Sequence, residues 1–322
     1  MQIEKPRIEL YRVRTFSEKI SDTFDFIRES WRPLLKYFVY LMLPLSIVLA
    51  FFVNNFSSGY MSALVGMSGS ESFETSQMVT FILMMVGTGV VSCIVVVLLM
   101  ALVYALIRIY QVREERLQGL TYAELRPELL RCASRAVRLL LGILLVTILL
   151  CVLIGLLVFV FSLIHPVAAA ISLFFVYVAS VVVIIPLSLV VPVYMLEDDL
   201  TLLEAFQKAW RLGFATWGGI FAVSFVLGLI GFALQMLTWM PWYVMQMAKS
   251  YFTLQGEGGG FAGSAGYSLI LYLAAIWMCL GYLLVTVLST VGLTVQYGHA
   301  SDKIDGMGVA RKIEKFDELD KF

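Results

Sequence analysis

Five stretches of this chain carry no charged residue: Tyr37–Ser70, Thr75–Ile107, Leu139–Leu196, Leu212–Ala248 and Gly258–Ser301. A helix crosses the hydrocarbon core of a bilayer with about 20 apolar residues. Four of the runs hold one span each. Leu139–Leu196, divided at Ile164-His165-Pro166, holds two. The spans fall at about 36–53, 78–107, 139–164, 167–195, 217–239 and 267–297. Composition agrees, with 60% apolar residues, 14% charged residues and a mean hydropathy of +0.89. A soluble domain is usually about 45–50% apolar and about 25% charged. The predicted fold class is therefore an all-α membrane protein with six transmembrane helices.

Net charge is zero, which argues against a nucleic-acid partner. The distribution of charge is more informative than its sum. Of 23 Lys and Arg, eight lie up to Lys36, seven from Arg108 to Arg138, two in Lys208–Arg211 and five from Lys303 onward; only Lys249 lies elsewhere. The positive-inside rule then predicts cytoplasmic termini and cytoplasmic inner connections, and an even number of spans agrees by placing both termini on one side. Residues 1–14 read as a cytoplasmic segment, 15–297 as the membrane domain and 298–322 as a cytoplasmic tail.

Ahead of spans 1, 3 and 5 the sequence repeats a pattern. Thr15-Phe-Ser-Glu18, Thr121-Tyr-Ala-Glu124 and Thr201-Leu-Leu-Glu204 have the spacing of a capping box. Each opens an amphipathic stretch, which predicts three cytoplasmic interfacial helices and a three-fold internal repeat of helix, span, outer loop and span. In the first helix Phe16, Ile20, Phe24, Ile27 and Trp31 share one side, and that apolar side is expected to dock on the bundle. Pro33 is expected to separate this helix from the first span. Pro127 puts the second helix in doubt or shifts its start. Pro186 and Pro192 are expected to bend span 4.

Within these stretches an acid precedes an Arg by two helical turns three times: Asp25/Arg32, Glu128/Arg135 and Glu204/Arg211. Two readings follow: a ring in which each Arg meets a neighbouring copy's acid or a lipid phosphate, or charges that are all solvated, where pairs contribute only about 0–1 kcal/mol. On the first reading Arg211→Ala should be more harmful than Lys208→Ala, because a guanidinium can hold carboxylate or phosphate by two parallel hydrogen bonds. Arg131, Arg135 and Arg138 share a helix face that could also hold an anionic head group.

No motif carries catalysis. The predicted spans contain no charged residue, and His165 and His299 lie at opposite ends of the bundle. Cys93, Cys132, Cys151 and Cys279 have no CxxC spacing, so neither a disulfide framework nor a metal site is read. Glu197-Asp-Asp199 is read as acids favoured by the dipole of the helix that follows, in preference to a metal site. No catalytic, cofactor-binding or metal-ligating residue is therefore assigned, and no cofactor is expected.

Pro192-Val-Tyr-Met-Leu-Glu197, followed by Thr201–Ala205, Trp210-Arg211-Leu212 and Trp217, resembles the multi-pass membrane domain fused to some bacterial glycerophosphodiester phosphodiesterases and related inner-membrane proteins. There a proline–acid segment precedes an Ala-x-x-x-Ser/Ala-Trp-x-Leu helix that enters a span. This chain has Ala209 where the family often has Ser, and it lacks the separate soluble catalytic domain of the fused members. The resemblance implies a six-span layout and a bacterial inner-membrane location, and transfers no catalytic residue. The expected function is a non-enzymatic, lipid-associated or membrane-organising scaffold. Its expected partners are membrane lipids, with a membrane or cytoplasmic protein as a further contact. The alternative is a channel or transporter for a small uncharged or amphipathic solute or lipid.

Overall fold

The computed structural model describes residues 7–67, 75–254, 260, 263–310 and 313. Among these residues the regular structure is helical: α1 Phe16–Met67, α2 Thr75–Val112, α3 Tyr122–Ile164, α4 Pro166–Leu187, α5 Val190–Leu196, α6 Leu202–Ala215, α7 Trp217–Leu254 and α8 Ala265–Asp305. Six helical stretches are long and apolar enough to cross a membrane. The protein is an all-α, multi-pass membrane protein. Its large exposed apolar surface follows from that, since lipid takes the place of water as the solvent of the spans. The most apolar window of α3 buries none of its residues within the chain, whereas that of α2 buries 56%.

The chain forms two compact units. The first comprises Met1–Trp31, Val103–Leu227 and Ser289–Phe322, and the second Arg32–Leu102 and Gly228–Leu288. In the second unit, α1 continues as helix to Met67, well past the span expected to end near residue 53. No proline interrupts Asn54–Met67, and Asn55 Nδ2 donates back to the Phe51 carbonyl at 2.8 Å. Trp242 Nε1 donates to Asn54 Oδ1 at 2.6 Å, and Gln246 Nε2 to Ser57 Oγ at 3.1 Å. Those bonds tie the extension of α1 to that of α7. The expected loop Asn54–Gln77 is thus helical up to Met67, and its stretch 68–74 lies outside the described residues.

The proline expectations meet different outcomes. Pro33 and Pro127 both sit inside continuous helices. Pro127 comes early enough in α3 that its missing N–H removes only one of the first intrahelical bonds. Pro186, by contrast, lies where the helix does break: α4 ends at Leu187 and α5 begins at Val190. His165 separates α3 from α4 in an extended conformation, and its Nδ1 accepts from Val167 N–H at 3.1 Å.

The three Thr-x-x-Glu sequences all form their boxes. The backbone N–H groups of Thr15, Thr121 and Thr201 donate to Glu18, Glu124 and Glu204 at 2.6, 3.1 and 2.8 Å. In each case the Thr backbone bond, then the Thr hydroxyl, holds the Glu carboxyl below its usual pKa. Counted from each threonine, the residues four, eight, eleven and fifteen positions on are buried every time. They are Lys19, Thr23, Phe26 and Ser30 in α1; Leu125, Leu129, Cys132 and Ala136 in α3; and Ala205, Ala209, Leu212 and Thr216 in or just after α6. Steps of four, three and four make one stripe along a helix. The residue nine positions on, Phe24, Leu130 or Trp210, is exposed each time.

The docking face expected for the first helix is therefore reversed. Phe16, Phe24 and Trp31 are exposed, while Lys19, Thr23, Phe26 and Ser30 pack inward. Helical periodicity identifies an apolar side but not which way it points, and in a membrane protein that side is free to meet lipid. On α6 the exposed side is aromatic: Phe206 stacks on Trp210 at 6.4 Å and Trp210 lies 4.5 Å from Phe214. At the start of α7, Trp217, Phe221 and Phe225 continue with centroid spacings of 5.5 and 5.8 Å.

Candidate functional site

The most highly connected polar group of the first unit is the turn Glu197–Asp199 between α5 and α6. A seven-residue helix such as α5 leaves its last carbonyls without intrahelical donors. Two arginines supply them. Arg135 Nε and Nη2 donate to the Tyr194 carbonyl at 3.0 and 2.5 Å, and Nη2 also donates to the Glu197 carbonyl at 2.7 Å. Nη1 reaches the Asp198 carbonyl at 3.1 Å. Arg108 Nε and Nη2 donate to the Met195 carbonyl at 2.9 and 2.6 Å. The Arg135 guanidinium also lies over the Tyr194 ring, 4.4 Å from its centroid. Cations at the negative end of α5 are favoured by its dipole as well.

The side chains of the turn complete the hub. Asp198 accepts from Arg108 Nη1 and Nη2 at 3.0 and 2.7 Å, and pairs with Arg131 at 2.8 Å and Arg135 at 3.5 Å. The Arg108 hydrogen bonds are the main reason its carboxyl is held below its usual pKa; they outweigh partial burial. Glu197 accepts from Lys208 Nζ at 2.7 and 2.8 Å and from the Tyr297 hydroxyl. Tyr297 packs edge-on against Tyr11, with centroids 6.0 Å apart. Two of the three acids read from the sequence as helix-dipole partners, Glu197 and Asp198, are thus held by cations on α2, α3 and α6 and by a tyrosine of α8, while Asp199 is exposed.

The structure places the other sequence-derived residues separately. Arg211 pairs with Asp305 at 2.8 Å but remains 60% exposed at its side chain. Glu204 is held in its capping box. Glu128 lies 3.6 Å from Arg131 and 4.0 Å from Arg108. Arg138 is exposed and, among the described residues, has no ion pair. Asp25 lines a cleft described below, and Arg32 belongs to the second unit's stretch of α1. The acids that meet Arg135 and Arg211 are Asp198 and Asp305, so the expected ring of the three spaced pairs is not what the side chains build. Register gives the reason. Asp25, Glu128 and Glu204 lie ten, seven and three residues after their capping threonines, one helical turn apart from copy to copy. Lys208, the less exposed of the two, lies 2.7 Å from Glu197 and 3.6 Å from Asp305, so the geometry leads to the opposite expectation, with Lys208→Ala the more harmful change. Sequence reasoning missed Arg108, Lys208 and Tyr297. Arg108, the first charge after an uncharged run, was the one signal available.

A mixed-charge cleft of about 880 Å³ opens beside the first part of α1, lined by Arg7, Arg12, Arg28 and Arg116 and by carboxylates that include Asp22, Asp25 and Glu29. Several of these charges already have partners. Arg14 Nε donates to Asp22 at 2.6 Å, and Glu29 accepts from Arg116 and from the Tyr110 hydroxyl.

Nearby, His299 is buried and its Nδ1 accepts the Arg14 backbone N–H at 2.9 Å, which requires the neutral ring with its proton on Nε2. Burial first, then the charges of Lys19, Lys303 and Arg14, push its pKa down to about 4. The unfolded chain takes up this proton near the ordinary value of about 6.5, so between these two values it binds more protons than the fold. Stability is therefore present above pH 6.5 and is lost as pH falls toward 4. His299→Gln should flatten the decline in unfolding midpoint between pH 6.5 and 4.5. An unchanged slope in that variant would show that other groups cause the decline.

No family model matches this chain, and neither a curated protein nor a solved structure matches it.

Proposed function

We propose that this chain is a non-enzymatic protein of a bacterial inner membrane with both termini in the cytoplasm. Three copies of one helix–span–span unit set apolar ridges into the lipid interface and organise lipid there. The observation that carries this reading is the outward face of the three capped segments. Phe24, Leu130 and Trp210 stand exposed at the same distance from their capping threonines, while the stripe opposite is packed. Such residues are stable at an interface where apolar surface meets lipid tails and neighbouring cations meet phosphate. Arg126 and Arg138 on α3 are exposed beside Leu130 and Val137 and suit that second contact. The concentration of Lys and Arg on one side supports the orientation. The resemblance of Pro192–Trp217 to the phosphodiesterase-fused membrane domain supports the bacterial location.

Purified protein in liposomes of phosphatidylethanolamine and phosphatidylglycerol tests the reading. Native mass spectrometry should find anionic phospholipid retained by the wild type and reduced in the Arg126→Ala/Arg138→Ala double variant. Solute flux and lipid scrambling should equal those of protein-free liposomes. Flux or scrambling above that control would overturn the scaffold reading in favour of transport.

A further inference from the structure

The first part of α1 borders two hollows that meet. One is the mixed-charge cleft of about 880 Å³. The other is a shallow groove of about 610 Å³ lined by Phe24, Ile27 and Trp31. Asp25 and Arg28 belong to both linings. The helix accounts for the junction, since Phe24, Ile27, Arg28 and Trp31 lie at steps of three, one and three and so share a face. Phe24 and Trp31 are 40% and 52% exposed. A charged hollow thus passes directly into an apolar one, all within the first unit, and that is the shape of a site for an amphiphile.

The charges say which amphiphile. Among the described residues four arginines and five carboxylates line the cleft, and they are unevenly paired. Arg12 has Glu18 and Arg116 has Glu29. Arg7 and Arg28 have no carboxylate within ion-pair distance among the described residues. Arg7 donates to the Tyr110 carbonyl and lies 5.6 Å from the centroid of that ring, so both of its contacts are with neutral groups. Arg28 is exposed, and α3 and α6 place Ser134 and Phe214 at its position, thirteen residues after their capping threonines. The repeat therefore does not require an arginine there. The acids, by contrast, are held: Asp22 by Arg14, Glu29 by Arg116 and the Tyr110 hydroxyl, and Asp302 by the Gly308 N–H. Two guanidiniums without a carboxylate favour a phosphate. Five carboxylates around them disfavour a ligand that brings excess negative charge. A head group that carries its own cation meets both conditions.

We propose that the cleft and the groove form one site for a phospholipid whose head bears a phosphate and a primary ammonium. Arg7 and Arg28 hold the phosphate, the carboxylates of the cleft accept from the ammonium, and the start of an acyl chain lies along Phe24, Ile27 and Trp31. Such a site rests on the lipid-organising role proposed above and adds to it a preference for one head group, at a place separate from Arg126 and Arg138.

The test is native mass spectrometry of the full chain in detergent micelles, given phosphatidylethanolamine, phosphatidylcholine or phosphatidylglycerol. One phosphatidylethanolamine should be retained in preference to the other two. Phosphatidylcholine has the same charges, but its methyl groups leave the ammonium no hydrogen to donate. Arg28→Gln should weaken that retention by about tenfold, the loss of one charge-assisted hydrogen bond, at an unchanged unfolding temperature because Arg28 has no partner to lose. Arg7→Gln and Trp31→Ala should weaken it too; if either does not fold, Arg28→Gln decides. The Arg126→Ala/Arg138→Ala variant should keep its phosphatidylethanolamine while losing anionic lipid, so the two lipid contacts can fail separately. Soluble phosphoethanolamine, which lacks the chains, should not displace the lipid at equal concentration. Retention of phosphatidylcholine equal to that of phosphatidylethanolamine would overturn the site. So would undiminished retention in Arg28→Gln, or displacement by phosphoethanolamine, which would make the occupant a free solute.

Discussion

Arg135→Ala should lower the unfolding free energy of this protein by about 3 kcal/mol, in the range seen when a buried charge is taken from its partners. Arg135 is only 9% exposed and donates to the carbonyls of Tyr194, Glu197 and Asp198. Truncation would leave the Tyr194 carbonyl, whose bonds to Arg135 are buried, without that donor, and such an acceptor costs about 1–3 kcal/mol; the part-buried Glu197 and Asp198 carbonyls would lose theirs as well. Asp198 would not be stranded, because Arg108 and Arg131 still hold it. The loss should therefore come from the unsatisfied carbonyls and the lost stacking on Tyr194. Arg135→Lys should rescue little, since one ammonium cannot reproduce a fork that reaches several carbonyls and stacks on a ring. Arg138→Ala, one helical turn away on the exposed side, should be silent. Thermal unfolding in micelles measures all three variants, and a wild-type midpoint for Arg135→Ala would dismiss the hub as a stabilising element.

The parts of the fold that could be read from the sequence are those fixed by local chemistry. Six spans follow from the length of uncharged sequence, because the bilayer imposes a minimum and tolerates no charge. Three capping boxes follow from four residues each, because the bonds they make close within one turn. What could not be read is direction and partnership. The periodicity of Phe16, Ile20, Phe24, Ile27 and Trp31 is real, but in a protein with lipid around it an apolar side has two places to go. The side that packs inward carries Lys19 and Ser30, which no hydrophobic pattern would select. Glu197 and Asp198 were visible as acids, yet their partners Arg108, Arg135 and Tyr297 are 62 to 100 residues distant in sequence. The seven-residue spacing of acid and Arg occurs three times, but at a different height on each helix, so spacing within a copy says nothing of register between copies. Counting from the capping threonine recovers that register, and it separates the packed stripe from the exposed ridge.

Gly213 is the site of the second large effect expected. It is buried on α6, next to Leu212, where the helix crosses the end of α4. A Cβ at Gly213 would lie 2.5 Å from the Pro186 carbonyl oxygen, 2.7 Å from its Cβ and 2.8 Å from its Cα. Two of those three atoms are backbone, and the Pro186 carbonyl is further constrained by accepting from the Leu189 N–H at 3.3 Å across the break between α4 and α5. A side-chain tip could swing away from a new methyl group, but this segment cannot. Gly213→Ala should therefore force α6 off α4, costing about 3 kcal/mol, the upper end of the usual penalty for overpacking. Because α6 also carries Lys208 to Glu197, the acid turn should loosen with it, and faster hydrogen exchange at the amides of residues 197–201 should accompany the loss of stability. Gly218→Ala is the control, since a Cβ there meets nothing within 4 Å and alanine is the better helix former. Equal midpoints for Gly213→Ala and Gly218→Ala would mean that α6 can shift without cost, and that its small residues do not hold it against α4.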